Sequence, residues 1–82
     1  MQINIFYNQY TGEYVANEKG DFTTSGVTGD NIKTDLEELL NFVLYKYHKR
    51  KAVLMCRLSE KDLEFAQKYV SRLEAKMFVE SD

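Results

Sequence analysis

Residues 32–58 constrain the fold of this chain more than any other stretch, because an amphipathic pattern there leads into a run that is apolar on both faces. In the first part, apolar residues recur at i, i+4, i+7 and i+11, and polar residues fill the opposite side. This spacing predicts a helix, and Asp30 is placed to cap its first turn. The apolar stripe consists of Ile32, Leu36, Leu39, Leu40, Val43 and Tyr47.

An unbroken apolar run at residues 52–56 follows the predicted helix. The run is too short for a helix of its own, which favours a strand that is covered on both faces. Alternate side chains of a strand share a face, and Lys51 and Arg57 place charge at both ends of the odd-numbered face. We therefore expect the even-numbered residues to face the core. They are Ala52, Leu54, Cys56 and Leu58.

The N-terminal part of the chain carries the period-two alternation of short strands. Three strands are predicted, at residues 2–9, 13–17 and 22–27. Turn residues, Gly12 among them, separate the strands and favour an antiparallel meander.

A second amphipathic helix is predicted at residues 60–76, with Ser59 as its N-cap. Its apolar stripe comprises Leu63, Ala66, Val70, Leu73 and Met77. Residues 77–79 fit either the end of this helix or a last short strand. The order β-β-β-α-β-α then predicts one α+β domain spanning residues 1–82, in which an antiparallel sheet packs against two helices.

Length and composition indicate a small folded domain. A chain of 82 residues with 44% hydrophobic and 29% charged residues is typical of globular proteins. A domain of this size buries only about 60–65% of the surface of its unfolded chain, so a homodimer would add stability. No signal peptide or membrane span is predicted, which places the protein in the cytoplasm. Abundant Asn, Lys, Glu and Tyr without proline indicate an AT-rich bacterial or phage genome.

Catalysis is the function class with the least support. The single histidine, His48, lies among basic residues, and the single cysteine, Cys56, lies in the apolar run. A zinc site needs about four such ligands, so no metal site is predicted. The four glycines are spaced as turn residues and not as a phosphate-binding loop, so no cofactor is predicted either.

Exposed aromatic residues favour a protein partner instead. The chain is 13% aromatic and contains six tyrosines, several of which must be at least half exposed in so small a domain. Tyrosine is enriched at the energetic centres of protein interfaces. The candidate partner-binding residues are Tyr7, Tyr10, Tyr14, Tyr45, Phe65 and Tyr69.

A basic cluster at residues 46–51 supports an alternative, the binding of nucleic acid. Its charges could contact phosphates while Tyr45 and Tyr47 stack on unpaired bases. The net charge of −2 argues against this function, and a helix C-terminus also favours basic residues for structural reasons. The candidate nucleic-acid contacts are Lys46, His48, Lys49, Arg50 and Lys51.

Three segments resemble the N-terminal domain of HicB-type antitoxins. They are Gly12-Glu13-Tyr14-Val15-Ala16, Thr24-Ser25-Gly26-Val27-Thr28, and the helix pattern of Leu36, Leu39, Leu40 and Val43. The resemblance implies a small β-β-β-α-β domain that binds and silences a toxin ribonuclease. In its small size and lack of a predicted cofactor the chain is also similar to phage-encoded inhibitors, including anti-CRISPR proteins, which occlude a surface of a target protein.

Overall fold

The computed structural model describes residues 1–48, 50–72 and 77–82, and these form a mixed sheet with two α-helices. The predicted α+β class is therefore confirmed. The elements in chain order are β1 (Gln2–Asn8), β2 (Glu13–Asn17), β3 (Ile32–Lys33), α1 (Leu36–Lys46), β4 (Ala52–Arg57), α2 (Glu60–Arg72) and β5 (Met77–Ser81).

The sheet has the strand order β3-β2-β1-β4-β5. The β1–β2 and β2–β3 pairs are antiparallel, whereas the β1–β4 and β4–β5 pairs are parallel. The predicted all-antiparallel sheet is therefore wrong. Helices α1 and α2 each carry the chain back across the sheet, so the strand that follows runs parallel to its neighbour.

The predicted third strand at residues 22–27 is also wrong, because this segment belongs to a loop and β3 lies further along the chain. Hydrogen bonds from side chains hold this loop in place of the backbone pairing of a strand. Asn17 Nδ2 donates to the Thr23 carbonyl at 2.7 Å. The backbone N–H of Ser25 donates to Thr23 Oγ1 at 3.2 Å. Threonine and serine side chains compete in this way with regular backbone pairing.

Helix α1 begins at Leu36, later than predicted, and Asp35 takes the N-cap place expected for Asp30. The Asp35 carboxylate accepts a bond from the backbone N–H of Glu37 at 3.3 Å. Ile32, predicted on the helical stripe, pairs with Val15 in the sheet. From Leu36 onward the predicted stripe is buried as expected. Its buried members are Leu36, Leu39, Leu40, Val43 and Tyr47.

Helix α2 follows Ser59, whose Oγ accepts a bond from the backbone N–H of Asp62 at 3.2 Å, as the predicted cap requires. The predicted continuation through residues 73–76, including Leu73, lies outside the described residues. Met77 was predicted on the stripe of this helix but belongs to β5. Of the two alternatives for residues 77–79, the structure therefore shows the strand.

Both helices cover one face of the sheet, which we call the inner face. The core there includes Ile3, Ile5 and Leu54, each 0% exposed. The even-numbered residues of β4 face this core as predicted. The odd-numbered face of β4 is less covered than predicted, because Val53 and Met55 on the outer face are only half-buried.

The directions of the elements define two ends of the sheet. Strands β1, β4 and β5 run in parallel, and both helices run against them. At the carboxyl edge these strands end and the helices begin, whereas at the amino edge the strands begin and the helices end. Among the described helices, neither has the length and apolarity needed to cross a membrane.

Candidate protein-binding surface

Tyr7 and Tyr14 form an aromatic pair on the inner face at the carboxyl edge. They lie directly opposite each other on β1 and β2, and their ring centroids are 4.9 Å apart. Tyr14 packs against the edge of the core, while 46% of Tyr7 is exposed. The pair therefore has one anchored ring and one ring open to solvent.

Tyr14 is also bound to the first turn of α2. Its hydroxyl donates a hydrogen bond of 2.6 Å to Asp62 Oδ2. This bond, together with burial and the negative charge of Asp62, raises the pKa of Tyr14 to about 12. The Tyr14 ring is thus fixed between the sheet and the helix, and the Tyr7 ring packs against it.

Phe65 and Tyr69 continue the aromatic surface along α2. They follow Asp62 at i+3 and i+7, a spacing that places all three on the same side of the helix. The two rings stack with centroids 5.7 Å apart, and 39% of Phe65 is exposed. The Tyr69 hydroxyl donates to Asn41 Oδ1 on α1, so this side chain also bridges the two helices.

These four residues, Tyr7, Tyr14, Phe65 and Tyr69, are called the aromatic row below. Tyr10 lies beside it, in the turn that follows β1, and is 91% exposed. The structure therefore brings five of the six candidate partner-binding residues to the carboxyl edge and the adjoining side of α2.

Tyr45, the sixth candidate, lies near the C-terminal end of α1 at the amino edge. It is 80% exposed, and its ring stacks with that of His48 at a centroid distance of 6.5 Å. The tyrosine pattern alone could not separate it from the others, because the distance between the two edges depends on the fold.

The aromatic row carries carboxylates. Asp62 contacts Tyr14 directly, and the charge of Asp35 also contributes to the raised pKa of Tyr14. Both carboxylates lie where a helix begins, a position that favours negative charge. A surface of this kind suits a partner that offers apolar side chains together with cationic or hydrogen-bond-donating groups.

The basic cluster lies at the amino edge and is less free than its sequence implies. Lys46 Nζ donates to Glu18 Oε1 at 2.7 Å, so its charge is already paired. The His48 Nδ1 atom lies 2.9 Å from the Tyr45 carbonyl oxygen. Arg50 and Lys51 are exposed, and Lys49 lies outside the described residues.

Glu18 and Asn31 were not singled out from the sequence, yet they hold the amino edge together. The buried Asn31 Nδ2 donates to the Ala16 carbonyl at 2.9 Å and to Glu18 Oε1 at 3.0 Å. Burial disfavours ionisation of Glu18, but bonds from Lys46 and Asn31 outweigh it and lower the pKa of Glu18 to about 2. No local pattern marks these residues, because they meet only in the folded chain.

The single cysteine lies in the core of the described structure. Cys56 is 1% exposed, and burial raises the pKa of its thiol to about 12, which disfavours the nucleophilic thiolate. In the ranges that the structure describes, no three His, Cys, Asp or Glu side chains are placed to hold a metal ion.

Comparisons with protein-family models, curated proteins and solved structures find no match to this chain. The resemblance to HicB-type antitoxins therefore stays a prediction.

Proposed function

We propose that this protein is a non-enzymatic regulator that binds a partner protein through the aromatic row and occludes part of its surface, in the manner of an inhibitor or antitoxin. The observation that carries the proposal is a series of neighbours: Tyr7 packs on Tyr14, Tyr14 bonds to Asp62, and Phe65 follows Asp62 by one turn on the same side of α2. It joins exposed rings from the sheet and from α2 into one surface.

The row has the physical properties of an interface centre. Tyrosine and phenylalanine supply large contact areas. The Tyr14 and Tyr69 rings are already ordered by Asp62 and Asn41, so these two side chains lose little entropy when a partner binds. A counter-defence or antitoxin-like inhibitor that works by occlusion needs a preformed surface of this kind and no catalytic group.

The experiment is affinity capture of the tagged protein from its native host, with and without nuclease, followed by binding measurements with the purified partner. Phe65→Ala and Tyr7→Ala should each weaken binding by about 30-fold if these rings are interface centres. Tyr45→Ala is the matched control, because it removes an exposed ring at the opposite edge. Circular dichroism establishes that each variant is folded.

Two outcomes would contradict the proposal. One is a partner that binds the Phe65→Ala and Tyr7→Ala variants as well as the wild type. The other is a partner that is lost on Tyr45→Ala alone, because that would move the interface to the amino edge.

The second candidate function is nucleic-acid binding at the amino edge, and the exposed Tyr45–His48 stack beside Arg50 and Lys51 favours it. Lys46 contributes less than its charge suggests, because Glu18 neutralises it. This function predicts an affinity that falls steeply with salt and is lost when Arg50 and Lys51 are replaced by alanine. Recovery of nucleic acid alone in the capture experiment would support it over the aromatic row.

A further inference from the structure

The outer edge of β5 offers unpaired backbone groups. In the described part of the chain, β5 pairs with β4 on one side and with no strand on the other. The N–H of Asp82 donates to the Cys56 carbonyl at 3.0 Å. Because backbone groups alternate in direction along a strand, the N–H and C=O groups of residues 78 and 80 also point toward β4. Met77, Val79 and Ser81 therefore direct their N–H and C=O groups outward. Such a row is a template for another strand.

The first three side chains of β5 do not protect this edge. Natural edge strands are usually blocked by lysine, proline or very short length, and β3 at the opposite edge has only two residues. In β5, by contrast, Met77, Phe78 and Val79 are apolar and consecutive. Phe78 lies on the outer face and is 57% exposed, so a large apolar side chain is left in water.

The outer face beside Phe78 is also uncovered. The loop between β2 and β3 covers the other half of this face, where Phe22 packs edge-on against Phe6. On the β4 side, Val53 is half-buried and 51% of Met1 is exposed. An apolar patch is thus continuous with the open strand edge.

We propose that the β5 edge pairs with the β5 edge of a second copy of this chain, antiparallel and about a twofold axis at Phe78. This register places Phe78 opposite the second copy's Phe78 and Met77 opposite the second copy's Val79. The backbone N–H and C=O groups of Met77 and Val79 point away from β4, so these residues form the hydrogen-bonded pairs. The phenylalanines form the non-hydrogen-bonded pair, where opposite side chains lie closest.

The alternative twofold register, centred on Val79, is less favourable. It would place Phe78 opposite the second copy's Glu80 and so set a carboxylate against an aromatic ring. An axis at Phe78 pairs two aromatic rings on the outer face and two apolar side chains, Met77 and Val79, on the inner face. Aromatic cross-strand pairs stabilise a sheet.

Charge complementarity supports a second copy over an unrelated strand. Val53 lies opposite Phe78, so in this register Lys51 and the second copy's Glu80 lie at the same level and on the same outer face. They are two strand spacings apart, about 10 Å, which long side chains can bridge. Within one chain Met55 lies opposite Glu80, so Lys51 is about 13 Å away along the strand and cannot pair with it. The twofold axis creates this ion pair twice.

Sedimentation velocity across a dilution series tests the proposal, with circular dichroism as the check on folding. The wild type should dissociate from dimer to monomer on dilution, and Phe78→Glu should be monomeric because it sets two carboxylates opposite each other. Lys51→Glu should weaken the dimer about tenfold, and adding Glu80→Lys should restore it. The control Phe65→Glu introduces the same charge on the aromatic row and should leave the dimer intact.

A wild type that is monomeric at every soluble concentration would overturn the proposal. So would a dimer that persists in Phe78→Glu, or a charge reversal at Lys51 that Glu80→Lys fails to rescue. The aromatic row is a separate surface, so Phe78→Glu should keep the partner that Phe65→Ala loses. The two proposals can therefore fail independently.

Discussion

The Tyr14 hydroxyl and the Asp62 carboxylate join strand β2 to the first turn of α2 across 2.6 Å. Because the bond requires the tyrosine proton, it holds the pKa of Tyr14 at about 12, above the ordinary value of 10.0. The stability that the bond contributes is complete below pH 10 and is lost as the pH rises through about 12.

Tyr14→Phe should lower the free energy of unfolding at pH 7 by about 1 kcal/mol, since it removes one partly buried hydrogen bond. Ultraviolet titration should show that the variant lacks the late tyrosine ionisation step at about pH 12. A Tyr14→Phe titration that keeps this late step would show that the late step belongs to another residue.

Replacing Glu18 should loosen the amino edge. Glu18→Ala removes the partner of Lys46 and one acceptor of Asn31, and we expect a loss of about 1 kcal/mol at pH 7 in urea denaturation. The pKa of Glu18 lies at about 2, below the ordinary value of 4.5. Its contribution is therefore complete above pH 4.5 and disappears as the pH falls through about 2. The difference between wild type and variant should shrink over this interval.

Glu64→Ala is the control for that measurement, because it breaks the Glu64–Lys68 pair on the open surface of α2. Its effect on unfolding should be clearly smaller than that of Glu18→Ala. Equal effects would mean that the bonds to Asn31 and Lys46 add nothing beyond an exposed ion pair.

Phe22 should hold the β2–β3 loop on the outer face. Its ring packs against Phe6, and the Arg57 guanidinium carbon lies 4.0 Å from its centroid. Phe22→Ala should cost about 2 kcal/mol through lost burial and the lost cation–π contact. Proteolysis within residues 18–28 should then become faster. Phe22→Tyr keeps the ring and should behave as the wild type, and a loop that is cleaved equally in all three would contradict this role.

Cys56 should be chemically silent in the folded protein. It is 1% exposed, and burial raises its pKa to about 12, so both access and thiolate formation are disfavoured. Iodoacetamide at pH 8 should modify the thiol only in denaturant, as mass spectrometry would show. Rapid modification of the folded protein would indicate that β4 opens readily.

Features that depend on neighbouring residues could be predicted from the sequence. Helical spacing identified the buried stripe of α1 from Leu36 onward, and the capping capacity of Ser59 located the start of α2. Alternation showed that Leu54 and Cys56 face the core. Periodicity and capping act within a few residues, so the local sequence carries them.

The tertiary structure decided what depends on distant partners. Ile32 suits a helix as well as a strand, and pairing with Val15 made it a strand. Asp30 and Asp35 can both cap a helix. Because residues 32–33 form β3, the helix cannot begin directly after Asp30 and begins after Asp35 instead. Parallel pairing with β4 likewise turned Met77 and its successors into an edge strand.

The candidate surface shows the same division. Composition made the tyrosines candidate interface residues, but only the pairing of β1 with β2 and the packing of α2 placed Tyr7, Tyr14 and Phe65 on one surface and Tyr45 at the other edge. No local sequence pattern indicated the role of Glu18. By itself the sequence determined which segments are amphipathic and that Ser59 caps α2. The fold decided strand direction, register and the grouping of side chains, because burial and hydrogen bonding between remote segments determine them.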